Sequence, residues 1–212
     1  MRQFIVVGHE APTTAGFSLD DLPGAGRLDA LCRCVTAALL LSHDIRETVR
    51  VRLVLGEEYT VRFEGSDLQG LNPDERSTGA LVRNALDRRQ EAVGHVPVET
   101  SPGVSIVRRG FEGALDAASD QGAVIRLDGG GTPAVDVSPP PDPVFVLSDH
   151  LNFTDPEGRV LAEVASERVS LGPRRLHGSQ AITVAHNWLD TDGYRSWATL
   201  EERSRQGHDH SI

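Results

Sequence analysis

The sequence predicts an α/β fold in which a mostly parallel sheet is flanked by helices. Short apolar segments alternate with longer helical ones along the chain, and this order is typical of such folds. Residues 144–147 are entirely apolar, as expected of a strand that is buried on both faces of a parallel sheet. We find no internal repeat, and 212 residues are ample for one packed core.

The composition excludes several classes of protein. Hydrophobic residues make up 39% and charged residues 25%, which is ordinary for a folded domain. The net charge is −10, which argues against DNA binding through bulk charge but leaves RNA open if arginines cluster locally. The 21 basic residues are all arginine, so Schiff-base chemistry and a Walker lysine are absent. An acidic surface without lysine suits a salt-rich interior, although a GC-rich genome would also favour arginine codons.

The compartment that we expect is the cytoplasm. No apolar run approaches the roughly 18 residues that a membrane span requires, and the N-terminus lacks the apolar core of a signal peptide. Cys32 and Cys34 are two residues apart, so on a helix they point to different faces, which disfavours a disulfide or a zinc pair. Two buried thiols in a reducing compartment are expected instead.

The first half of the chain divides into four predicted elements. Residues 4–7 form a short apolar strand, and a loop rich in Gly and Pro separates them from a largely buried helix at 29–41. Residues 51–55 and 59–63 are strands joined by a short turn. A helix is expected from Pro73 to about Arg88, with Asn72 as its N-cap and Glu75 completing a capping box.

The second half alternates more regularly. Strands are predicted at 104–107, 123–127, 144–147 and 168–171, and helices at 111–118, 157–164 and 179–189. The segment from 128 to 143, with three successive glycines, is expected to be a loop. The polar tail, 191–212, is expected to end in a frayed helix, where His208 and His210 are weak metal candidates that more simply face solvent.

The first candidate site is the segment VFVLSDH at 144–150. A buried strand runs directly into a polar turn, and ligands of open α/β sheets bind at the carboxyl ends of strands. Leu147, Ser148 and Asp149 would lie at that end. The alternative interpretation is a strand followed by a helix-capping turn.

The second candidate site is VSLGPRRLHGSQAIT at 169–183. Here an apolar strand ends in Ser170 and Leu171, and Gly172 would allow either a close approach of backbone to a ligand or a positive φ. Backbone N–H and C=O groups in such a loop could read the edge of an adenine. A plain strand-to-helix connection is the alternative.

Two further segments carry charges where chemistry is possible. Asp29 and Arg33 are four residues apart on an otherwise apolar helix, so they form either a simple helix ion pair or a charged group facing a cleft or a partner subunit. The segment LNPDERS at 71–77 offers Asp74 as a base and Arg76 as a phosphate contact. It is equally consistent with a helix N-terminus whose acidic residues suit the helix dipole.

In this order, these motifs resemble the TrmY family of archaeal tRNA (pseudouridine-54-N1)-methyltransferases, which belong to the SPOUT superfamily and are related to ribosomal pseudouridine methyltransferases of the Nep1 type. The resemblance extends to about Asp190. It implies a single SPOUT domain at 1–190 with a trefoil knot at about 123–190. It also implies a homodimer with the active site at the interface, S-adenosylmethionine as cofactor, tRNA as substrate, and no metal, membrane or DNA partner.

The resemblance also implies residue roles. Cofactor contacts are expected from the two knot loops, and a cysteine is expected in many family members where Ala181 stands, so that contact would be dispensable or made by the backbone. The nucleophile is a ring N–H of pseudouridine, so a carboxylate should accept its proton, while arginines should contact phosphate or the developing uracil anion. The expected residues are Leu147, Ser148, Asp149, Ser170, Leu171, Gly172, Leu176 and Ala181 for the cofactor; Asp74, then Asp29 and Asp21, for catalysis; and Arg27, Arg33, Arg76 and Arg174 for RNA.

Two alternatives remain open at this point. A SPOUT methyltransferase acting on ribosomal RNA would differ only in the surface that reads the RNA. A catalytically silent module for RNA binding or dimerisation would keep the fold and lose cofactor binding.

Overall fold

The computed structural model describes residues 1–197 and confirms the α/β class. Eight strands form one sheet in the order β4-β5-β3-β2-β1-β7-β6-β8. The pairs β1–β2, β1–β7, β6–β7 and β6–β8 are parallel, whereas β2–β3, β3–β5 and β4–β5 are antiparallel. The sheet is therefore mostly parallel, with an antiparallel section at one edge. The strands are β1 Arg2–Gly8, β2 Val49–Leu55, β3 Tyr59–Glu64, β4 Val98–Ser101, β5 Val104–Val107, β6 Val124–Pro133, β7 Val144–Ser148 and β8 Glu167–Ser170; the helices are α1 Leu28–Leu39, α2 Glu75–Asp87, α3 Phe111–Ser119, α4 Asp155–Val164 and α5 Gly178–Asp190, with 3-10 turns at Arg89–Glu91 and Ala134–Asp136.

Helices cover both faces of the sheet. α1, α2 and α5 pack on one face over a large apolar core, while α3 and α4 pack on the other over a smaller one. Trp188 on α5 is fully buried in the larger core, and its indole N–H donates to the carbonyl of Ala134 at 2.9 Å. β1 is central to this arrangement because it pairs with β2 on one side and β7 on the other.

The glycine-rich segment corrects one expectation. We expected a loop throughout 128–143, but β6 continues to Pro133 and pairs with β8 after a register shift between Leu127 and Thr132. The glycines make this possible because a Cβ at Gly131 would come within 2.5 Å of the carbonyl oxygen of Arg168. The absence of side chains at this point lets the two backbones approach.

The start of α2 corrects a second expectation, the identity of the helix N-cap. The N-cap is Asp74 rather than Asn72, and its carboxylate accepts a hydrogen bond from the backbone N–H of Ser77 at 2.7 Å. Pro73 therefore precedes the cap instead of opening the helix. The expected capping box with Glu75 does not form, because Ser77 stands at the third helical position.

The remaining expectations for the helices and for the two thiols hold. α1 lies within two residues of its expected bounds, and Cys32 and Cys34 are both buried and unpaired. Burial raises the pKa of each thiol to about 12. Between residues 1 and 197 no helix is both long and apolar enough to cross a membrane.

Two expectations are not decided by the structure. The trefoil knot is a statement about how the chain threads through itself, which strand order alone does not fix, so it stays a prediction. The expected frayed helix of the tail and the pair His208 and His210 lie outside the described residues.

Candidate active site

The two candidate cofactor loops begin at the same edge of the sheet. β7 and β8 both run parallel to β6, so the loops after Leu147 and after Ser170 leave from carboxyl ends that point the same way. The start of α5 packs beside the first of these strands: a Cβ at Gly178 would lie 3.3 Å from the side chain of Leu147 and 3.0 Å from the sulfur of Cys34. The fold therefore brings the two predicted loops to one edge, next to α1.

The first loop is held by a histidine that the sequence analysis did not select. The Asp149 carboxylate accepts hydrogen bonds from the backbone N–H of His9 at 3.0 Å and of Leu151 at 2.8 Å, and its side chain is only 1% exposed. His9 Nδ1 lies 3.2 Å from the same carboxylate, and His9 Nε2 lies 2.9 Å from Glu157. His9, at the end of β1, thus connects the loop after β7 to the start of α4.

The charges around His9 favour its protonated form. Burial opposes protonation, but the hydrogen bonds to Glu157 and Asp149 outweigh it and hold the pKa of His9 above 6.5. The Glu157 carboxylate also accepts from the backbone N–H of Thr154 at 2.7 Å. Burial, followed by the neighbouring Glu157, raises the pKa of Glu57. With a carboxylate at each ring nitrogen, a protonated His9 can donate to both Asp149 and Glu157 and so hold the loop after β7 against the start of α4.

The second loop is open around Gly172. Gly172 does not adopt positive φ, and a Cβ there would meet no atom within 4 Å. Of the two roles expected for Gly172, the positive φ is absent, and the close approach of a ligand stays a prediction. Ser170 donates to the carbonyl of Gly172 at 3.1 Å, and the half-buried side chains of Leu171 and Leu176 border the loop. Half-buried leucines beside open backbone suit the adenosine end of S-adenosylmethionine, and Ala181 is half-buried on the first turn of α5.

Three of the seven predicted catalytic and RNA-binding residues line a separate cleft. This cleft measures about 610 Å³ and lies between the loop at 19–23, α1 and the start of α2. Arg33, Asp74 and Arg76 line it together. Arg76 pairs with Asp20, another lining residue. Asp21, Asp29 and Arg27 are not among the lining residues, and Arg174 is exposed on the second loop.

Arg33, which lines this cleft, belongs to a group of arginines and carboxylates bound to one another. Asp29 is buried and accepts from Arg27 at 3.0 Å and from Arg33 at 2.8 Å. Burial opposes the charge on Asp29, but the two arginines outweigh it and lower its pKa. Arg33 also donates to Glu75 at 2.6 Å. The ion pair four residues apart on α1 therefore exists, and it belongs to a chain of charges that reaches the cleft.

Of the three candidate carboxylates, only Asp74 lines the cleft, and its side chain is exposed. Both of its oxygens accept from Ser77, one from the N–H and one from the hydroxyl, each at 2.7 Å. These bonds lower the pKa of Asp74, so it is ionised at neutral pH. Asp21 accepts only the N–H of Gly24 at 3.0 Å among the contacts within residues 1–197.

Helix α1 lies between the two groups of residues. Cys34 packs against Gly178 at the loops, while Arg33, one residue earlier and so about 100° around the helix, lines the cleft. Sequence reasoning missed His9, Glu157, Asp20 and Glu75. The partners of His9 and of Asp20 are more than 50 residues away in sequence, so no local spacing marks them.

A family model described as "Putative SAM-dependent RNA methyltransferase" matches residues 1–194 of this chain. Together with the sheet and the loops at its edge, this match shows that the chain belongs to a class of S-adenosylmethionine-dependent RNA methyltransferases.

Comparison with curated relatives assigns the chain to a more specific family. The chain is 65% identical over 198 residues to the tRNA (pseudouridine(54)-N(1))-methyltransferase of Haloarcula marismortui, covering 93% of this chain and all of the relative. It is 65% identical to the protein of the same name from Haloferax volcanii, over 92% of this chain and 98% of that one, and 44% identical to that of Methanosarcina acetivorans, over 90% and 91%. The chain thus belongs to the tRNA (pseudouridine-54-N1)-methyltransferase family.

A solved structure supports the fold independently. Nep1 of Archaeoglobus fulgidus, crystallised with S-adenosylhomocysteine, superposes with a TM-score of 0.62 at 12% identity, covering 89% of this chain and 97% of that one. At this identity the likeness shows the fold alone.

Proposed function

We propose that this protein transfers a methyl group from S-adenosylmethionine to N1 of pseudouridine 54 in the T loop of tRNA. The observation that carries the proposal is the 65% identity to relatives of that name over nearly the whole length of both chains. The ribosomal RNA alternative and the silent module are not favoured by any feature of the described residues.

The two loops at the sheet edge are the proposed cofactor site. When bound, S-adenosylmethionine supplies an electrophilic methyl on a sulfonium, so the residues have only to orient it and the target nitrogen in line. Leu147, Leu171 and Leu176 would enclose its apolar parts, and Gly172 leaves room for it. Ser148, Asp149, Ser170 and Ala181 complete the proposed site; because Asp149 is occupied by His9, it would act by shaping the loop.

The cleft beside α1 is the proposed site for the target base. Asp74 is the proposed acceptor of the N1 proton or of its hydrogen bond, because it is ionised, exposed and next to Arg33 and Arg76. Asp29 is a weaker candidate for this role because two arginines already bind it. Asp21, whose carboxylate accepts from the N–H of Gly24, is the other candidate. Arg33 and Arg76 are proposed to stabilise the developing uracil anion, and Arg27 and Arg174 to contact phosphate.

We also propose that the protein works as a homodimer in the cytoplasm. The cleft and the cofactor loops contact different sides of α1 within one chain, so a second copy would provide a way to bring them together. A further cleft of about 510 Å³ between α1 and α5 has a mixed lining, in which the apolar side chains of Ala37, Leu40 and the 78%-exposed Trp197 stand among polar and charged ones. Light scattering after size exclusion should give twice the mass of the chain. The buried free thiols support a reducing compartment.

The decisive experiment compares two tRNAs that differ only at position 54. The protein is incubated in high salt with S-adenosylmethionine and tRNA carrying either pseudouridine or uridine, and the nucleosides are analysed by mass spectrometry. We expect a methyl gain only on the pseudouridine tRNA. Cofactor binding without methyl gain on either would favour another RNA substrate, and loss of both would overturn the proposal.

A further inference from the structure

An arginine cluster lies on the face of the sheet that α3 and α4 cover in part. Arg50 and Arg52 on β2 and Arg62 on β3 point to this face, because Arg52 and Arg62 are direct partners in the antiparallel register and Arg50 is two residues away. The apolar core beneath α3 and α4 includes Val54 but no residue of β3, β4 or β5. This cluster therefore occupies the part of the face that the apolar core leaves out.

Direct pairing of Arg52 with Arg62 is unfavourable by itself. Side chains opposite each other on antiparallel strands have Cβ atoms about 4.5–5.5 Å apart, and like charges at such positions destabilise a sheet. Arg52 is only 5% exposed, and the hydrogen bond it makes within residues 1–197 is to the neutral amide of Gln3. Burial, followed by the charges of Arg50 and Arg62, lowers the pKa of Arg52 to about 10, so it is still charged at neutral pH.

Few carboxylates balance these charges. Glu64 binds Arg50 at 2.6 Å, and Arg52 and Arg62 form no ion pair among the residues that the structure describes. Glu99 on β4 is the next acidic residue across the sheet, but Ser105 on β5 pairs with both Arg62 and Glu99 and so separates them by one strand. This contrasts with the candidate cleft, where the two lining arginines, Arg33 and Arg76, are each bound to a carboxylate.

The acidic side chains at the end of α3, Asp116 and Asp120, form no ion pair with the arginines of the cluster among the residues that the structure describes. Gly113 lies against the side chain of Arg109, with a Cβ position 3.5 Å from it, and Gln121 accepts a hydrogen bond from Arg50 at 2.6 Å. Ala117 lies one turn after Gly113 on α3, and Gln121 follows the end of that helix at Ser119, directly after the exposed Asp120. Arg109 also brings a fourth cation, which is one of the charges that act on Arg52.

We propose that this face, formed by Arg50, Arg52, Arg62 and Arg109, is a second RNA-binding surface that holds backbone phosphates of the tRNA outside the target loop. The proposal rests on the proposed function, because tRNA is the anion that such an enzyme must hold. An unfavourable Arg–Arg pair in a chain of net charge −10 is stabilised when a phosphate lies over it. Arg62 and Arg109, which are half-buried, would reach the phosphates, and Arg52 would add its charge from beneath.

The test measures tRNA affinity against KCl concentration for the full-length protein. Arg62→Gln and Arg62→Glu remove or reverse the charge, and Arg159→Gln and Arg159→Glu on the exposed surface of α4 are controls with the same change of net charge. We expect the Arg62 variants to bind tRNA more weakly than their controls. The slope of log affinity against log salt should fall by roughly 0.7–0.9 for each phosphate that a variant no longer neutralises. Calorimetric titration with S-adenosylmethionine checks that the variants are folded.

A stability measurement separates binding from a structural role. Because Arg62 opposes Arg52, we expect Arg62→Glu to raise the Tm while it weakens tRNA binding; a merely structural arginine would lower the Tm. Affinities and slopes equal to the Arg159 controls would overturn the proposal. If the unsubstituted protein binds tRNA without methylating it, the proposed function fails. The salt dependence of tRNA affinity in the Arg62 variants, compared with the Arg159 controls, then tests the proposed surface by itself. If it binds no tRNA at any salt concentration, both fail.

Discussion

At the scale of single residues, Asp74 combines two roles that substitution can separate. It caps α2 through Ser77, and it lines the cleft as the proposed base. Serine caps a helix about as well as aspartate but has no carboxylate.

We therefore expect Asp74→Ser to keep the Tm and to lower kcat for methyl transfer by about 10²-fold or more, because a positioned proton acceptor contributes at least that much. Single-turnover methylation of pseudouridine tRNA measures the effect, and Asp74→Ala should lower both the rate and the stability. Full activity of Asp74→Ser would exclude Asp74 as the base and direct attention to Asp21.

His9 gives a prediction with a definite sign in pH. Its pKa is held above 6.5 because the hydrogen bonds to Glu157 and Asp149 outweigh burial. A raised pKa means that the folded protein binds the proton more tightly than the unfolded chain, so the stabilisation is complete below pH 6.5 and is lost as pH rises through the folded-state pKa. We expect the Tm advantage of the unsubstituted protein over His9→Gln to shrink across that range. Melting curves at a series of pH values measure it; a difference that stays constant with pH would show that folding does not shift the pKa of His9, and one that grows with pH would show that folding lowers it.

At the scale of elements, the segments that the sequence identified are those whose pattern is local. The apolar runs predicted β1 and β7, and helical spacing predicted α1, α3 and α5, each within a few residues. β4 was missed because Val98–Ser101 is short, polar and half-exposed, as an edge strand can be. β6 extends beyond its predicted end because tertiary pairing with β8 holds a segment that has no strand propensity of its own.

The candidate site also combines residues that a local sequence pattern marks with contacts that only the fold creates. Leu147, Ser170 and Gly172 could be proposed because strand ends are visible in the sequence, and Arg33 and Asp74 because they lie in recognisable motifs; their roles stay predictions. The link from His9 to Asp149 spans 140 residues, and the pairing of Arg33 with Glu75 spans 42, so both depend on the fold.

α4 provides a test of how the first loop is held. Thr154 and Glu157 form a complete capping box, and Glu157 is also the partner of His9. We expect Thr154→Ala to lower the free energy of unfolding by about 1 kcal/mol, whereas Thr154→Ser should retain most of it. Urea denaturation of both variants measures the difference. Equal loss in both would assign the effect to the methyl group of Thr154 instead of its hydroxyl.

At the scale of the whole molecule, the excess of acidic residues sets the response to salt. The net charge is −10, and repulsion among like charges opposes the compact state until ions screen it. We expect the Tm to rise with KCl concentration, with the largest rise at the low end, where screening changes most. Scanning calorimetry over a KCl series measures this, and a Tm that falls with added salt would show that the ion pairs outweigh the repulsion.

The same charge balance bears on how RNA is held. High salt weakens nonspecific phosphate attraction, so recognition must depend more on shape and on contacts to bases. In the cleft, Arg33 and Arg76 are already bound to carboxylates. An RNA group that binds either arginine must therefore replace its carboxylate partner.

The buried thiols make this chain convenient for spectroscopy. Since both native cysteines are shielded and carry a pKa of about 12, maleimide dyes should leave the folded protein unmodified. One cysteine introduced on the surface would then accept a single fluorophore without removing Cys32 or Cys34. Energy transfer between two such labelled copies would report the distance between subunits of the proposed homodimer, and its change when tRNA is added, with both native cysteines left in place.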